Sequence, residues 1–251
     1  MLFRSQNTFE QKIDHTLPVV DWADEDLIAS RLKDGGYLQN LKSSVPAAPL
    51  ILVDLDEVMV NIGIKWMFRM RDLDLLPSSY DNDDAVVHAA LHREEYYFWK
   101  HVGLEKEDTR IYAEDSTFYD NLEATTYGQG IEMNALAGRL RGIILTHCVE
   151  GPVNESKKRF ISKNFPSLIT ICIPGHTPKS KVINDMGLNH YVTFSDDSVK
   201  VVTDVLHNTL SLGKEFYMPK FGHNGIERFN PKDLEYMAEI SAKLVYYENI
   251  L

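Results

Sequence analysis

The 251-residue sequence predicts an α/β fold: a doubly wound parallel sheet, interrupted early by an all-helical insertion. Three observations carry this. Four short apolar runs, 50–53, 141–147, 168–174 and 191–195, have the length and residue types of buried parallel strands. From the second run onward helical stretches separate them, the alternation of βαβ units. The runs also end on polar residues: Asp54 and Asp56, Thr146, a lysine just past the third run, then Asp196 and Asp197. Open α/β sheets bind ligands at that edge.

Residues 1–49 form a polar N-terminal extension. Asp21 to Leu32 reads as a short helix with acids in its first turn, stopped by Gly35-Gly36, and Ser43 to Pro49 as a linker. No G-x-x-x-x-G-K-[ST] occurs, which excludes a nucleotide P-loop. Residues 50–60 hold the first strand and both aspartates. Residues 61–117 read as a helical cap. Ile62 to Arg71 is amphipathic, 76–84 is a loop, and 85–102 is helical, with a third helix over 104–112. Tyr96, Tyr97, Phe98 and Trp99 stand in a row, and four consecutive residues cannot share one helix face.

The α/β core resumes over 118–218. Phe118 to Leu122 brings the chain back, and a helix over 131–140 precedes the second strand. Asn154 caps a basic helix running to Asn164. Thr177 to Lys181 opens the next helix with Pro178 in its first turn, and Ser198 to Leu210 forms the helix after the fourth strand. Glu215 to Met218 reads as an edge strand. Residues 219–251 form a C-terminal extension, with a loop at Phe221 to Gly225 and a terminal helix from Pro231 to Tyr247, capped by Asn230.

Hydrophobic residues make up 44% of the chain and charged residues 25%, the balance of a soluble globular protein. A net charge of −11 argues against a general nucleic-acid surface. It leaves room for a small phosphorylated substrate, because a metal supplies positive charge locally. Cys148 and Cys172 lie in strand-like surroundings and suggest neither a disulfide framework nor a zinc site. No run approaches the roughly 18 apolar residues of a membrane span. The N-terminus turns polar too soon for a signal peptide, so a cytoplasmic, reduced setting is expected. A homo-oligomer is compatible with all of this.

Taken singly, the strand-end residues have bland explanations. Asp196 and Asp197 suit a helix N-terminus, Lys179 and Lys181 suit solvent, and Thr146 is a strand-end hydroxyl. Taken in order, they meet the needs of phosphoryl transfer. An aspartate can attack phosphorus, and a carboxyl two residues on can move the proton. Carboxylates can hold Mg2+, and threonine and lysine can hold the phosphate oxygens. His147 and His176 lie near this set, and His147 is a candidate substrate contact.

In that order the residues resemble the haloacid dehalogenase (HAD) superfamily of phosphotransferases. The resemblance lies in Asp54-Leu55-Asp56-Glu57-Val58, Ile144-Leu145-Thr146, Lys179 or Lys181, and Phe194-Ser195-Asp196-Asp197. Within it the chain is most similar to the 5'(3')-deoxyribonucleotidases, through Leu91 to Tyr96 and Phe118 to Glu123. The resemblance implies a HAD-like core with Asp54 as nucleophile and Asp56 as general acid/base. Thr146 would bind phosphate together with Lys179 or Lys181. Lys181 is preferred because Val182 and Ile183 follow it. Asp196 and Asp197 would complete a Mg2+ site with Asp54 and the backbone carbonyl of Asp56.

The implied activity is a Mg2+-dependent 5'-nucleotidase acting on (deoxy)nucleoside monophosphates. The alternatives are a phosphatase for another small phosphorylated metabolite, or a non-catalytic binding module on the same scaffold. Two features depart from the pattern. Glu57 stands where glycine commonly eases a tight turn. Ile62 and Ala90 stand where the deoxyribonucleotidases have stacking aromatics, which directs stacking to Trp66, Tyr96 or Phe118.

Overall fold

The computed structural model describes residues 19–21 and 48–248. The expected helix at 21–32 falls outside them except for Asp21, which ends a short strand, β1 (Val19–Asp21). The other strands are β2 (Leu50–Val53), β3 (Arg141–Cys148), β4 (Ile169–Pro174), β5 (Thr193–Ser195), β6 (Glu215–Pro219) and β7 (Lys243–Tyr247). They form one sheet in the order β1-β4-β3-β2-β5-β6-β7, and every pairing is parallel. The chain winds outward from β2 through β3 and β4, then crosses back to β5 and winds the other way. The topological switch point therefore lies at the carboxyl end of β2, between β3 and β5.

Side-chain alternation builds two cores, one on each face of the sheet. Leu50 and Leu52 join Ile143, Leu145, Ile171 and Phe194 on one face. Val53 and Ile144 face the other, with Trp66, Met70, Phe118 and Phe160. Leu52 and Val53 are fully buried, and each contributes about 1.5–3 kcal/mol of hydrophobic stabilisation. The strands are continuous hydrophobic runs because both faces are covered.

Nine α-helices are described: α1 (Ile62–Asp72), α2 (Asp83–His92), α3 (Phe98–His101), α4 (Arg110–Glu114), α5 (Thr126–Leu136), α6 (Val153–Asn164), α7 (Lys179–Asp185), α8 (Val199–Asn208) and α9 (Pro231–Glu239). The segment between β2 and α5 is helical, and the helix expected over 85–102 is broken. Arg93 ends α2 with a ψ of 136°, and its buried guanidinium folds back to the Ala90 carbonyl and over the Phe98 ring, 3.8 Å from the centroid. That return costs the helix its continuity from Arg93 to Tyr97.

Four other expectations are corrected. Asn154 lies inside the first turn of α6, whose N-cap is Pro152. Pro178 is the N-cap of α7, just outside the helix. The terminal helix stops at Glu239: Ser241 takes a left-handed φ of 55°, and Leu244 to Tyr247, rich in β-prone residues, forms β7 beside β6. Glu215 to Pro219 is thus an inner strand, and β7 is the edge. The Asn230 cap holds, its side chain accepting from the Lys232 N–H at 3.0 Å.

Candidate active site

Asp54 follows β2 directly, and its N–H donates to the Ser195 carbonyl at 2.8 Å. The chain then turns sharply. Met59 and Val60 both donate to the Leu55 carbonyl, and the Thr125 hydroxyl, which also caps α5, donates to the Val58 carbonyl at 2.9 Å. Glu57 sits in this turn with a φ of 63°, the conformation that glycine adopts freely and that costs other residues about 1–2 kcal/mol. Its buried carboxylate offsets that strain by accepting from the Gly63 N–H at 2.6 Å, and it faces Arg93 at 3.8 Å. Burial pushes Glu57 up to about 7, against the opposing pull of Arg93.

Asp196 and Asp197 follow β5, beside Asp54. One oxygen from each of Asp54, Asp196 and Asp197 lies within 4.8 Å of the others. All three residues are buried. Burial, reinforced by Asp54, pushes both Asp196 and Asp197 up to about 7. Three buried carboxylates with too little compensating charge are costly. The described cation among them is Lys179, at 2.8 Å from Asp54 Oδ1 and 2.7 Å from Asp196 Oδ2. An oxygen-only donor set with surplus negative charge fits a hard divalent cation.

This arrangement corrects the choice of lysine. Lys181 points to solvent, its side chain 58% exposed, and pairs with Asp185 one turn on. Lys179, 1% exposed, opens α7 and reaches the carboxylates. Two residues on a helix lie about 200° apart, so only one of the pair can face the site.

Asp56 lies outside the triad, in a network the sequence reading missed. The Lys157 ammonium, buried on α6, donates to Asp56 Oδ2 and to the His147 carbonyl, each at 2.7 Å. The Tyr119 hydroxyl donates to Asp56 Oδ1 at 2.8 Å and contacts the Tyr112 hydroxyl at 2.9 Å. Both carboxylate oxygens of Asp56 are therefore held by donors. Thr146, at the end of β3, is buried, and its hydroxyl has no hydrogen-bond partner among the described residues. His147 contacts the Thr177 carbonyl through Nε2 at 2.9 Å; burial and then Lys179 hold its pKa below the usual histidine value.

A cavity of about 330 Å³ is lined by Asp54, Asp56, Asp197, His147 and Arg93 on its polar side. Trp66, Tyr96, Tyr97, Phe98, Trp99 and Tyr112 supply the aromatic side. All four consecutive aromatics face the cavity, because α3 begins only at Phe98 and the preceding residues are not helical. Phe118 does not line it. It is 1% exposed and packs in the core.

Fold and site together define a doubly wound α/β protein with a buried, lysine-countered carboxylate cluster at its switch point. No family model matches the chain, and no curated protein matches it. Among solved structures it is similar to a dehalogenase captured as an intermediate complex, at 12% identity and a TM-score of 0.45, covering 79% of this chain and 93% of that one. A HAD-superfamily hydrolase from Ehrlichia chaffeensis gives 12% identity and a TM-score of 0.45, covering 77% of this chain and 98% of that one. A predicted phosphoglycolate phosphatase from Haemophilus somnus 129PT gives 13% identity and a TM-score of 0.41, covering 78% of this chain and 93% of that one. Nothing in these three similarities points to a deoxyribonucleotidase. No helix among the described residues is long and apolar enough to cross a membrane.

Proposed function

We propose that the chain is a HAD-type, Mg2+-dependent phosphomonoesterase that forms an aspartyl-phosphate, with nucleoside monophosphates as its substrates. The observation that carries this is Asp54 at the switch point, bridged to Asp196 by Lys179 and exposed to an aromatic cavity. Asp54, Asp196 and Asp197 would hold the cation, with the Asp56 carbonyl. When bound, Mg2+ neutralises phosphate charge and orients the phosphoryl group.

Asp54 attacks phosphorus, and the ester P–O bond breaks toward the leaving alkoxide. The Asp56 carboxyl gives that oxygen its proton and is left as a carboxylate. Water then attacks the phosphoaspartate while Asp56 accepts its proton, and phosphate departs. Lys157 and Tyr119 fix the Asp56 carboxylate in one orientation, which suits the base half of the cycle. The free Thr146 hydroxyl and Lys179 bind the phosphate oxygens. Residues 61–117 act as the cap: they exclude water and present aromatic faces to the base.

The direct test is phosphate release from a panel of phosphorylated metabolites, with and without Mg2+. Release from deoxynucleoside monophosphates that requires Mg2+ supports the reading, and no release from any ester contradicts it. Arg93 favours a second reading. It lines the cavity, and its Nε is buried without a hydrogen-bond partner among the described residues, which suits a metabolite bearing a carboxylate besides its phosphate. The same panel separates the two.

Stacking gives a sharper prediction. Tyr97 lines the cavity, lies 4.5 Å from Trp99 centroid to centroid and is 45% exposed, so its removal should spare the fold. Base stacking is worth about 1–3 kcal/mol, so Tyr97→Ala is expected to raise KM for nucleotides about 5- to 150-fold with kcat retained. KM for p-nitrophenyl phosphate should not change.

The raised carboxyls predict how stability varies with pH. Between about pH 4 and 7 the folded metal-free protein holds protons on Glu57, Asp196 and Asp197 that the unfolded chain has released. Their contribution to stability therefore falls as pH rises through that window. Melting in EDTA should show a lower midpoint at pH 8 than at pH 5.5. Added Mg2+ should raise the midpoint more at pH 8, where it does not compete with protons.

A further inference from the structure

The loop after β6 reaches the acidic cluster from outside the four strand-end motifs. The buried His223 places Nε2 3.3 Å from Asp197 Oδ2. Asn224, fully buried, donates from Nδ2 to the Asp197 carbonyl at 3.0 Å and to the Pro219 carbonyl at 2.8 Å. Its own side-chain oxygen accepts from the Phe221 N–H at 3.0 Å, and its carbonyl accepts from the Tyr246 hydroxyl at 2.7 Å. The loop is thus fastened to β6 and β7 and aimed at one carboxylate.

Its other side meets the helical segment. The Gly222 N–H donates to the Leu91 carbonyl at 3.4 Å. A Cβ at position 222 would lie 2.6 Å from the His92 carbonyl oxygen and 2.7 Å from that of Arg93, an approach that only glycine permits. The Phe221 ring faces the Arg93 guanidinium at 5.2 Å, and Tyr96 meets His223 edge-on at 5.4 Å. The loop is therefore wedged between Asp197 and the segment that lines the cavity.

We propose that His223 is a positioning residue. Its Nε2–H holds the Asp197 carboxylate in the orientation that binds a divalent cation, and the 221–225 loop keys that orientation to the helical segment. The inference rests on the proposed function only in taking Asp197 as a cation ligand. It does not depend on which phosphate ester is hydrolysed. Hydrogen-bond partners that orient a ligand from behind typically account for about 10- to 100-fold in metal affinity.

Isothermal titration of the full-length protein with Mg2+ alone tests it. His223→Leu removes the donor and keeps the bulk. His223→Gln keeps a donor near the Nε2 position, whereas His223→Asn places one short of it. His223→Leu and His223→Asn are expected to weaken Mg2+ binding about 10- to 100-fold, and His223→Gln to remain near wild type. If His223→Leu does not fold, the Gln and Asn pair decides the matter. Wild-type affinity in all folded variants, equal loss in Gln and Asn, or a wild-type protein that binds no Mg2+ would each overturn the proposal. A protein that hydrolyses no phosphate ester yet shows this order of Mg2+ affinities sinks the phosphatase reading and leaves His223 in its role.

Discussion

Asp54→Asn is expected to abolish phosphate release, by about 10⁴-fold or more, as loss of a covalent nucleophile does in other enzymes. The substitution is nearly isosteric, so the loss should not come from unfolding. Asp54 lies among three buried carboxylates and adds to the repulsion that raises Asp196 and Asp197. Lys179 retains Asp196 at 2.7 Å when the Asp54 charge is gone. Metal-free Asp54→Asn should therefore melt at or above the wild-type temperature while showing no turnover. Circular dichroism melts and a phosphate assay on the same preparation check both halves. A variant that is inactive because it is unfolded would say nothing for the nucleophile.

Lys179→Met should have the largest effect on stability. The ammonium is 1% exposed and neutralises two carboxylates at once. Breaking a buried pair costs about 3–5 kcal/mol, and in a chain of this size each kcal/mol lowers the melting temperature by about 2–4 °C. A fall of roughly 6–20 °C is therefore expected in EDTA. Added Mg2+ should recover part of it, because the cation replaces some of the missing charge. Lys181→Met is the control. Its exposed pair with Asp185 one turn on is worth about 0.3–0.5 kcal/mol, and neither stability nor turnover should change measurably. Equal effects from the two substitutions would remove Lys179 from its place at the carboxylates.

The strands were legible in the sequence because burial on both faces leaves an unbroken apolar run, as in Leu50 to Val53 and Ile143 to Leu145. The aspartates, Thr146 and a lysine were legible because they end such runs. The choice between Lys179 and Lys181 was not, since it depends on how far Pro178 delays the start of α7. Lys157 carried a signal that charge obscured. Counted as part of a basic helix, it is in fact four residues from Val153 and from Ile161, on the apolar face of α6. His223 carried none: 26 residues separate it from Asp197, and only the parallel pairing of β5 with β6 brings the two together. The break after α2 arises from a buried arginine folding onto its own helix, which helical periodicity cannot register. β7 was lost for the opposite reason, because the good helix start at Asn230 and Pro231 masked the strand signal of Leu244 to Tyr247.

The most direct measurement is acid-quenched peptide mass spectrometry after mixing the protein with Mg2+ and a deoxynucleoside monophosphate. One phosphoryl group is expected on the peptide containing Asp54, and none in Asp54→Asn. Turnover with no phosphoryl group on Asp54 at any quench time, or undiminished turnover in Asp54→Asn, would contradict the aspartyl-phosphate mechanism.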